Sequence, residues 1–363
     1  MSDNNTGAAR SHRLEPEFIA QALERWLPAQ LGGGSVIVSD LTLPKGTGFS
    51  NQTVLFRARW RHTELDLVLQ AAPAGEGLFA RYDFAAMARA QQQVRATSSV
   101  PVAPVRWHEM DVSVLGVPFY VMERVRGRAP TDRPPYHRAG WFADLSAQEQ
   151  RRAWWSGIEA MAKLHALEVE ADGFGFMQHA PWGMAPDADA ARTRLRQWRD
   201  FLRWADPEPL PIVDAAFDEL ERSCPAPAPL RVHWGDAKLS NCMVEGEVRA
   251  LLDWELCGLS VPEEDLMHWL MLDWSLWAVA GAARLPSLPD AAATIARYEA
   301  LSDREVQAPL WWWRFGLVRL AVIYHRILSL LRRRGHAGTG KTLADANPIT
   351  PFIAPVFEKD GLP

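Results

Sequence analysis

The sequence predicts an α+β fold in two lobes: a small N-terminal lobe built on an antiparallel sheet and a larger, mainly helical C-terminal lobe. Three observations carry this. Short β-type runs separated by Gly, Asn and Asp turns follow one another in the first third of the chain. After Gly127 the composition shifts towards Trp, Ala and Arg, and apolar residues recur at helical spacing over long segments. A single β-type island, 231–254, interrupts that helical part.

Taken in order, residues 1–13 are polar and lack the apolar core of a secretory signal, so a disordered tail is expected there. The N-terminal lobe is expected over 14–123. It opens with a helix over Glu17 to Leu31, which puts Phe18, Ala22, Leu23 and Trp26 on one side and stops at Gly32-Gly33-Gly34. Strands are predicted at Val36 to Val38, Thr53 to Trp60 and Leu65 to Gln70. A helix near Tyr82 to Val94 comes next, then strands at Val112 to Leu115 and Pro118 to Glu123. The C-terminal lobe is expected over 124–349, with helices at Ala147 to Leu167, Ala188 to Trp204, Ile212 to Ser223 and most of Glu263 to Arg334. Residues 350–363 read as an extended tail, because four prolines follow Asn347.

Composition narrows the function classes. Of the 363 residues, 48% are hydrophobic and 23% charged, the balance of a globular protein rather than a disordered or membrane chain. The net charge of -5 offers no basic face for nucleic acid or an anionic membrane, and Arg332 to Arg334 read as a solvated helix end. Three cysteines without a C-x-x-C spacing argue against disulfides and structural zinc, which fits a reducing cytoplasm. The apolar stretches Leu266 to Ala283 and Trp311 to Leu331 are broken by His268, Asp273, Arg314, Arg319 and His325, so they read as buried helices, not membrane spans.

The plausible chemistry sits in the β-type island. Val232-His233-Trp234-Gly235-Asp236-Ala237-Lys238-Leu239-Ser240-Asn241 places a carboxylate and a carboxamide five residues apart in a loop. A hairpin turning at Glu245-Gly246-Glu247 follows, and then Leu252-Asp253-Trp254-Glu255. Phosphoryl transfer needs a carboxylate to orient or deprotonate the attacking hydroxyl and hard oxygen ligands to hold Mg²⁺. Each residue alone reads as a turn, a cap or a strand-end acid. Asp236, Asn241 and Asp253 together supply the set.

This pattern, D-x-x-x-x-N and then L-D-W-E, resembles the aminoglycoside phosphotransferase and choline-kinase-like family of small-molecule kinases with a protein-kinase-like fold. The resemblance runs over Leu41 to Leu270 and is closest to the branch associated with acyl-CoA dehydrogenases. It implies ATP or GTP as donor, Asp236 as catalytic base, Asn241 and Asp253 as magnesium ligands, and Asp265 as a structural clamp within Gly258, Pro262, Asp265 and Leu266. Trp234 stands where the family motif has His, and His233 precedes it. Lys45-Gly46-Thr47-Gly48-Phe49-Ser50-Asn51 occupies the place of the phosphate-covering loop, with Gly46, Thr47, Gly48, Phe49, Ser50 and Asn51 as its nucleotide contacts. Met122, Glu123 and Val125 form the expected hinge reading the adenine edge. His165, at the end of a long helix, is expected to be structural.

One part of the family pattern is missing. The third-strand cation is replaced by Gln70, which then faces the nucleotide, and the helix Glu that would pair with it falls near Met87. Three explanations stay open: Arg81 or Lys45 reaches the phosphates, nucleotide binds more weakly, or the chain is a pseudokinase with a regulatory task. The implied acceptor is a small hydroxylated molecule. Trp269, Trp274, Trp277 and Trp311-Trp312-Trp313 suit either an apolar or acyl-type acceptor or plain core packing. An aminoglycoside would want a denser acidic pocket than Glu263-Glu264-Asp265 provides. A protein kinase is disfavoured because only about ten residues separate Asp253 from the next helix, too few for an activation segment.

Overall fold

A computed structural model describes residues 15–44, 50–335 and 342–362. The expected tail 1–13 lies outside them. The chain forms two compact units: the described residues of Met1–Gly77 with Val105–Arg124, and Leu78–Pro104 with Val125–Pro363.

In the first unit, helix α1 (Pro16–Gln30) buries Ile19, Ala22, Leu23, Trp26 and Leu27. Phe18, expected on that face, is 44% exposed, because the buried stripe runs through Ile19 instead. The glycine triplet ends the helix as expected. Gly32, Gly33 and Gly34 all take positive φ, and the N–H groups of Leu31 and Gly33 return to the carbonyls of Leu27 and Pro28. Strands β1 (Val36–Thr42), β2 (Gln52–Trp60), β3 (Thr63–Ala71), β4 (Val105–Glu109) and β5 (Phe119–Glu123) make an antiparallel sheet in the order β1-β2-β3-β5-β4. Trp26 joins helix to sheet, donating to Glu109 Oε2 at 2.9 Å and setting its ring edge 5.0 Å from Phe119.

The strand expected at Val112 to Leu115 is a turn, and β4 lies earlier. Local hydrogen bonds beat β propensity here: Ser113 N–H donates to Asp111 Oδ1 at 2.9 Å, and Gly116 N–H closes onto the Val112 carbonyl at 2.7 Å.

The second unit holds α2 (Phe84–Thr97), α3 (Ala147–His165), α4 (Ala190–Ala205), α5 (Pro211–Arg222), α6 (Pro262–Ala278), α7 (Ala291–Ser302), α8 (Pro309–Arg333), α9 (Leu343–Ala346) and α10 (Thr350–Phe357). Between α5 and α6 lie β6 (Arg231–His233), β7 (Cys242–Glu245), β8 (Glu247–Leu251) and β9 (Gly258–Ser260), paired as β6-β9 and β7-β8. Residues 78–104, read from sequence as part of the small lobe, belong here. Phe79 packs against Trp182 and Phe201, Gln93 donates to the Asp172 carbonyl at 2.6 Å, and Leu251 N–H donates to the Pro101 carbonyl at 2.8 Å.

Ser146 and Glu149 cap α3 reciprocally, satisfying two N–H groups that its first turn would leave open. Helix α6 is buried on every side from Pro262 to Ser275, which explains its apolar sequence without a membrane. No described helix is long and apolar enough to cross one. Trp269, Trp274, Trp311, Trp312 and Trp313 are all core residues. Trp269 meets Trp154 edge-on at 5.4 Å, and Trp274 meets Trp313 at 5.1 Å.

The segment from Asn347 is not extended. Asn347 Nδ2 donates to the Ala321 carbonyl at 2.8 Å, and α10 then buries Ile353 and Val356. Pro351 falls in the first turn, where its missing N–H has no intrahelical partner to lose, while Pro355 sits inside the helix. Truncating Ile353 to Ala should lower the unfolding free energy by about 2 kcal/mol or more, read by urea denaturation. An undocked tail would give no change.

Candidate active site

The loop after β6 is held by one buried carboxylate. Asp265, in the first turn of α6, accepts the Trp234 N–H at 2.7 Å and the Gly235 N–H at 2.9 Å. His165 Nε2 reaches the same carboxylate at 3.2 Å while its Nδ1 meets the Tyr298 hydroxyl at 2.8 Å. The clamp and the structural histidine expected from sequence are therefore both present. Burial alone would raise the Asp265 pKa, but His233, His165 and the Gly235 N–H hold it well below the usual carboxylate range. Gly235 is required by the bend: its φ is +96°, and a Cβ there would sit 2.2 Å from the Leu256 carbonyl oxygen.

Trp234, which replaces the family histidine, is fully buried and donates from Nε1 to the Leu252 carbonyl at 2.7 Å. Trp254 does the same to Leu251 at 3.0 Å. Together the indoles fix the strand end that presents Asp253. His233 is buried and pushed down to about 4, chiefly by desolvation, so it is neutral near pH 7.

Beyond Gly235 the chain turns through a short 3-10 segment, Leu239–Asn241, which aims Asn241 back at Asp236. Asn241 Nδ2 donates to the Asp236 carbonyl at 2.9 Å and to its Oδ2 at 2.8 Å. Lys238 Nζ lies 3.3 Å from Asp236 Oδ2 and 3.2 Å from Asp132 Oδ2. His268 Nε2, from α6, lies 3.2 Å from Asp236 Oδ1. Burial opposes the charge on Asp236, yet Lys238, His268 and Arg319 outweigh it and hold the group far below its ordinary value.

Asp253 behaves oppositely. It follows β8 with φ of +59°, a backbone region that Asp tolerates better than most side chains. Among the described residues its carboxylate accepts no hydrogen bond. Burial, then the charge on Asp236, raises its pKa to about 7, with Lys238 only partly compensating.

This donor set fits a divalent cation. The Asn241 amide spends its N–H groups on Asp236 and leaves Oδ1, a hard oxygen, without a partner among the described residues. Asp253 is a carboxylate whose charge is costly until something positive joins it. One carboxylate and one amide oxygen, with phosphate oxygens completing the shell, is a common Mg²⁺ arrangement.

The nucleotide contacts expected from sequence divide between the units. Gly46, Thr47, Gly48 and Phe49 lie outside the described residues, as does Lys45. Ser50 is half-buried, and Asn51 has a buried Oδ1 without a partner among the described residues. Gln70 sits on β3 between Thr53 and Tyr120, and its Oε1 accepts the Thr53 hydroxyl at 3.3 Å. Met122 is buried on β5, Glu123 pairs with Arg106, and Arg124 N–H donates to the Asp66 carbonyl at 2.9 Å. Val125 opens the second stretch of the other unit. Of the residues weighed for the missing ion pair, Met87 is buried in α2 and Arg81 is exposed.

Sequence reasoning assigned no role to Lys238, Asp132, His268 or Arg319. Lys238 was legible as a lone cation inside an acid-bearing loop. His268 and Arg319 showed only as polar breaks in apolar helices, and their partners come from distant segments.

An antiparallel sheet unit followed by a helical unit that carries an Asp, Asn, Asp loop and hairpin defines a phosphotransferase of protein-kinase-like fold. The chain belongs to the phosphotransferase enzyme family, whose model matches residues 43–311. It is similar to acyl-CoA dehydrogenase family member 11 of Homo sapiens, 25% identical over 277 residues, which is 74% of this chain and 33% of that protein. The chain thus spans about a third of the length of this relative. Among solved structures, a putative aminoglycoside phosphotransferase from Ralstonia eutropha matches with a TM-score of 0.68 and 22% identity, over 93% of this chain and 95% of that one. A thermostable mutant of aminoglycoside phosphotransferase APH(4)-Ia, in ternary complex with AMP-PNP and hygromycin B, matches with a TM-score of 0.56 and 14% identity, over 93% and 99%. At these identities the structures speak for the fold, which agrees with the sequence reading.

The raised Asp253 pKa has a stability consequence. A group whose folded pKa exceeds its unfolded value stabilises fully below the unfolded pKa, about 4, and that stability is lost as pH rises through about 7. Without metal, Asp253→Asn should therefore be more stable than the unsubstituted chain at pH 8 by about 1 kcal/mol or more, with the gap closing towards pH 4. Chemical denaturation at the two pH values measures it, and an equal gap at both would refute the electrostatic origin.

Proposed function

We propose that this phosphotransferase moves the γ-phosphate of ATP to the hydroxyl of a small apolar or acyl-type molecule, with Asp236 as the base. The observation that carries the reading is the Asp236–Asn241 contact. The amide secures the Asp236 carboxylate through its N–H groups and keeps its own oxygen, together with Asp253, for a cation.

Asp236 stays ionised over the whole working pH range, which makes it a weak base but a strong acceptor of a hydrogen bond from the substrate hydroxyl. That suits a loose transition state, in which the hydroxyl proton leaves late. The acceptor O–H bond breaks as the new O–P bond forms, the proton passes to Asp236, and ADP departs with the electrons of the old bond. Asn241 and Asp253 would hold Mg²⁺, which neutralises phosphate charge when bound. In the nucleotide grip we place Ser50, Asn51 and Gln70, with Gly46, Thr47, Gly48 and Phe49 in the covering loop and main-chain groups of Met122, Glu123 and Val125 at the adenine.

Two features support the acceptor class. The dense acids of α6 are committed inside the protein: Glu264 to Arg194 at 2.8 Å, Asp265 to the loop, and Glu263 to the Gln307 N–H at 3.2 Å. All are at most 4% exposed, so they cannot bind a polycationic antibiotic. The likeness to a protein named for acyl-CoA dehydrogenation points to acyl-type alcohols. A pseudokinase reading has one observation behind it, the neutral Gln70 where the family carries a cation.

ATP turnover over a panel of hydroxyacyl thioesters and simple alcohols tests the proposal. Asp236→Asn should lower kcat about 100-fold or more, and Asn241→Ala should raise the Mg²⁺ concentration needed for half-maximal rate. Equal background rates for Asp236→Asn and the unsubstituted protein would favour the pseudokinase.

A further inference from the structure

We propose that His268 is a positioning residue for the reaction, orienting the Asp236 carboxylate by donating its Nε2 proton to Oδ1. The inference rests on the reading of Asp236 as the base.

The geometry fixes the tautomer. An ionised carboxylate only accepts, so at 3.2 Å from Asp236 Oδ1 the His268 Nε2 must carry the hydrogen. Nδ1 is then a lone pair, and it is buried without a partner among the described residues. It faces the seam between α6 and α8, where a Cβ on Gly316 would lie 3.7 Å away. The ring is 1% exposed.

That orphan nitrogen makes a purely structural role a poor account of the residue. An aliphatic side chain would fill the seam without burying an unpaired acceptor, which is costly inside a protein. Among the described residues, the single polar contact that the imidazole makes is with Asp236. It also divides the labour at the carboxylate: Asn241 and Lys238 hold Oδ2, and His268 holds Oδ1, so the plane of the group is set by contacts on both oxygens.

Burial, reinforced by Arg319, keeps the imidazole neutral. The Arg319 guanidinium comes from α8, donates to the Gly235 carbonyl, pairs with Glu264 Oε1 at 3.7 Å and lies 5.1 Å over the Trp198 ring. Burial, then this positive charge, pushes His268 down to about 4 despite the pull of Asp236. A charged imidazolium would clamp the carboxylate as an ion pair. A neutral one offers a directed N–H and leaves the negative charge free for the substrate proton.

Two substitutions separate orientation from packing. His268→Gln keeps an N–H donor near the Nε2 position, whereas His268→Leu keeps volume and removes the donor. With ATP and an accepted alcohol, His268→Leu should lower kcat roughly tenfold or more with KM for ATP within about twofold, and His268→Gln should recover kcat to within about threefold of the unsubstituted enzyme. Unchanged kcat in the Leu variant, or equal loss in both variants, overturns the proposal. A measurement on the unsubstituted protein needs no variant of His268 to fold: long-range ¹H–¹⁵N spectra of the imidazoles should show a neutral Nε2–H ring that shifts in Asp236→Ala. The opposite tautomer, or no shifted ring, overturns it. Full turnover by Asp236→Asn would instead remove the assignment of the base, a result distinct from any obtained with His268.

Discussion

The Asp265 carboxylate, accepting the main-chain N–H groups of Trp234 and Gly235, is the contact on which the rest of the site depends. The loop there is tight enough to need a glycine at φ +96°, and its N–H groups point into the protein, where only a fixed acceptor can satisfy them. A carboxylate in the first turn of α6 does so and is favoured by the positive end of the helix. Because α6 also carries His268, the element that shapes the loop delivers a contact to its acid. Loop conformation and acid orientation therefore share one rigid support.

The two aspartates of the site are driven apart by their surroundings rather than by their chemistry. Asp236 gathers Lys238, His268, Asn241 and, at longer range, Arg319, and is ionised under all ordinary conditions. Asp253 lies in the field of Asp236 with no hydrogen-bond donor of its own among the described residues, and its charge is disfavoured. Such divergence is how neighbouring carboxylates acquire different roles. On the proposed reading, the one already stabilised holds the substrate hydroxyl and the other a cation.

Much of this was legible in the chain because it is local. The Gly triplet after α1, the hairpin at Gly246 and the Asp, Asn, Asp spacing are set by residues close in sequence, and the structure keeps them. The failures have a different origin. The expected strand at Val112 to Leu115 lost to an Asp111 turn, and the tail expected from its prolines became α10 because Ile353 and Val356 find a core that no local pattern announces. Residues 78–104 look continuous with the sheet yet join the helical unit through Phe79 and Gln93. His268 and Arg319 were invisible as site residues because their partners, Asp236 and Gly235, lie 32 and 84 residues away.

Charge balance shows why a metal belongs in the reading. Around the loop stand three carboxylates, Asp132, Asp236 and Asp253, against one lysine, Lys238, which all three hold above its ordinary pKa. His233 and His268 are neutral, and Arg319 is committed to Gly235 and Glu264. The loop by itself is thus an anionic surface, on which triphosphate would be repelled. On the proposed reading, a cation held by Asn241 and Asp253 is what would offset that repulsion.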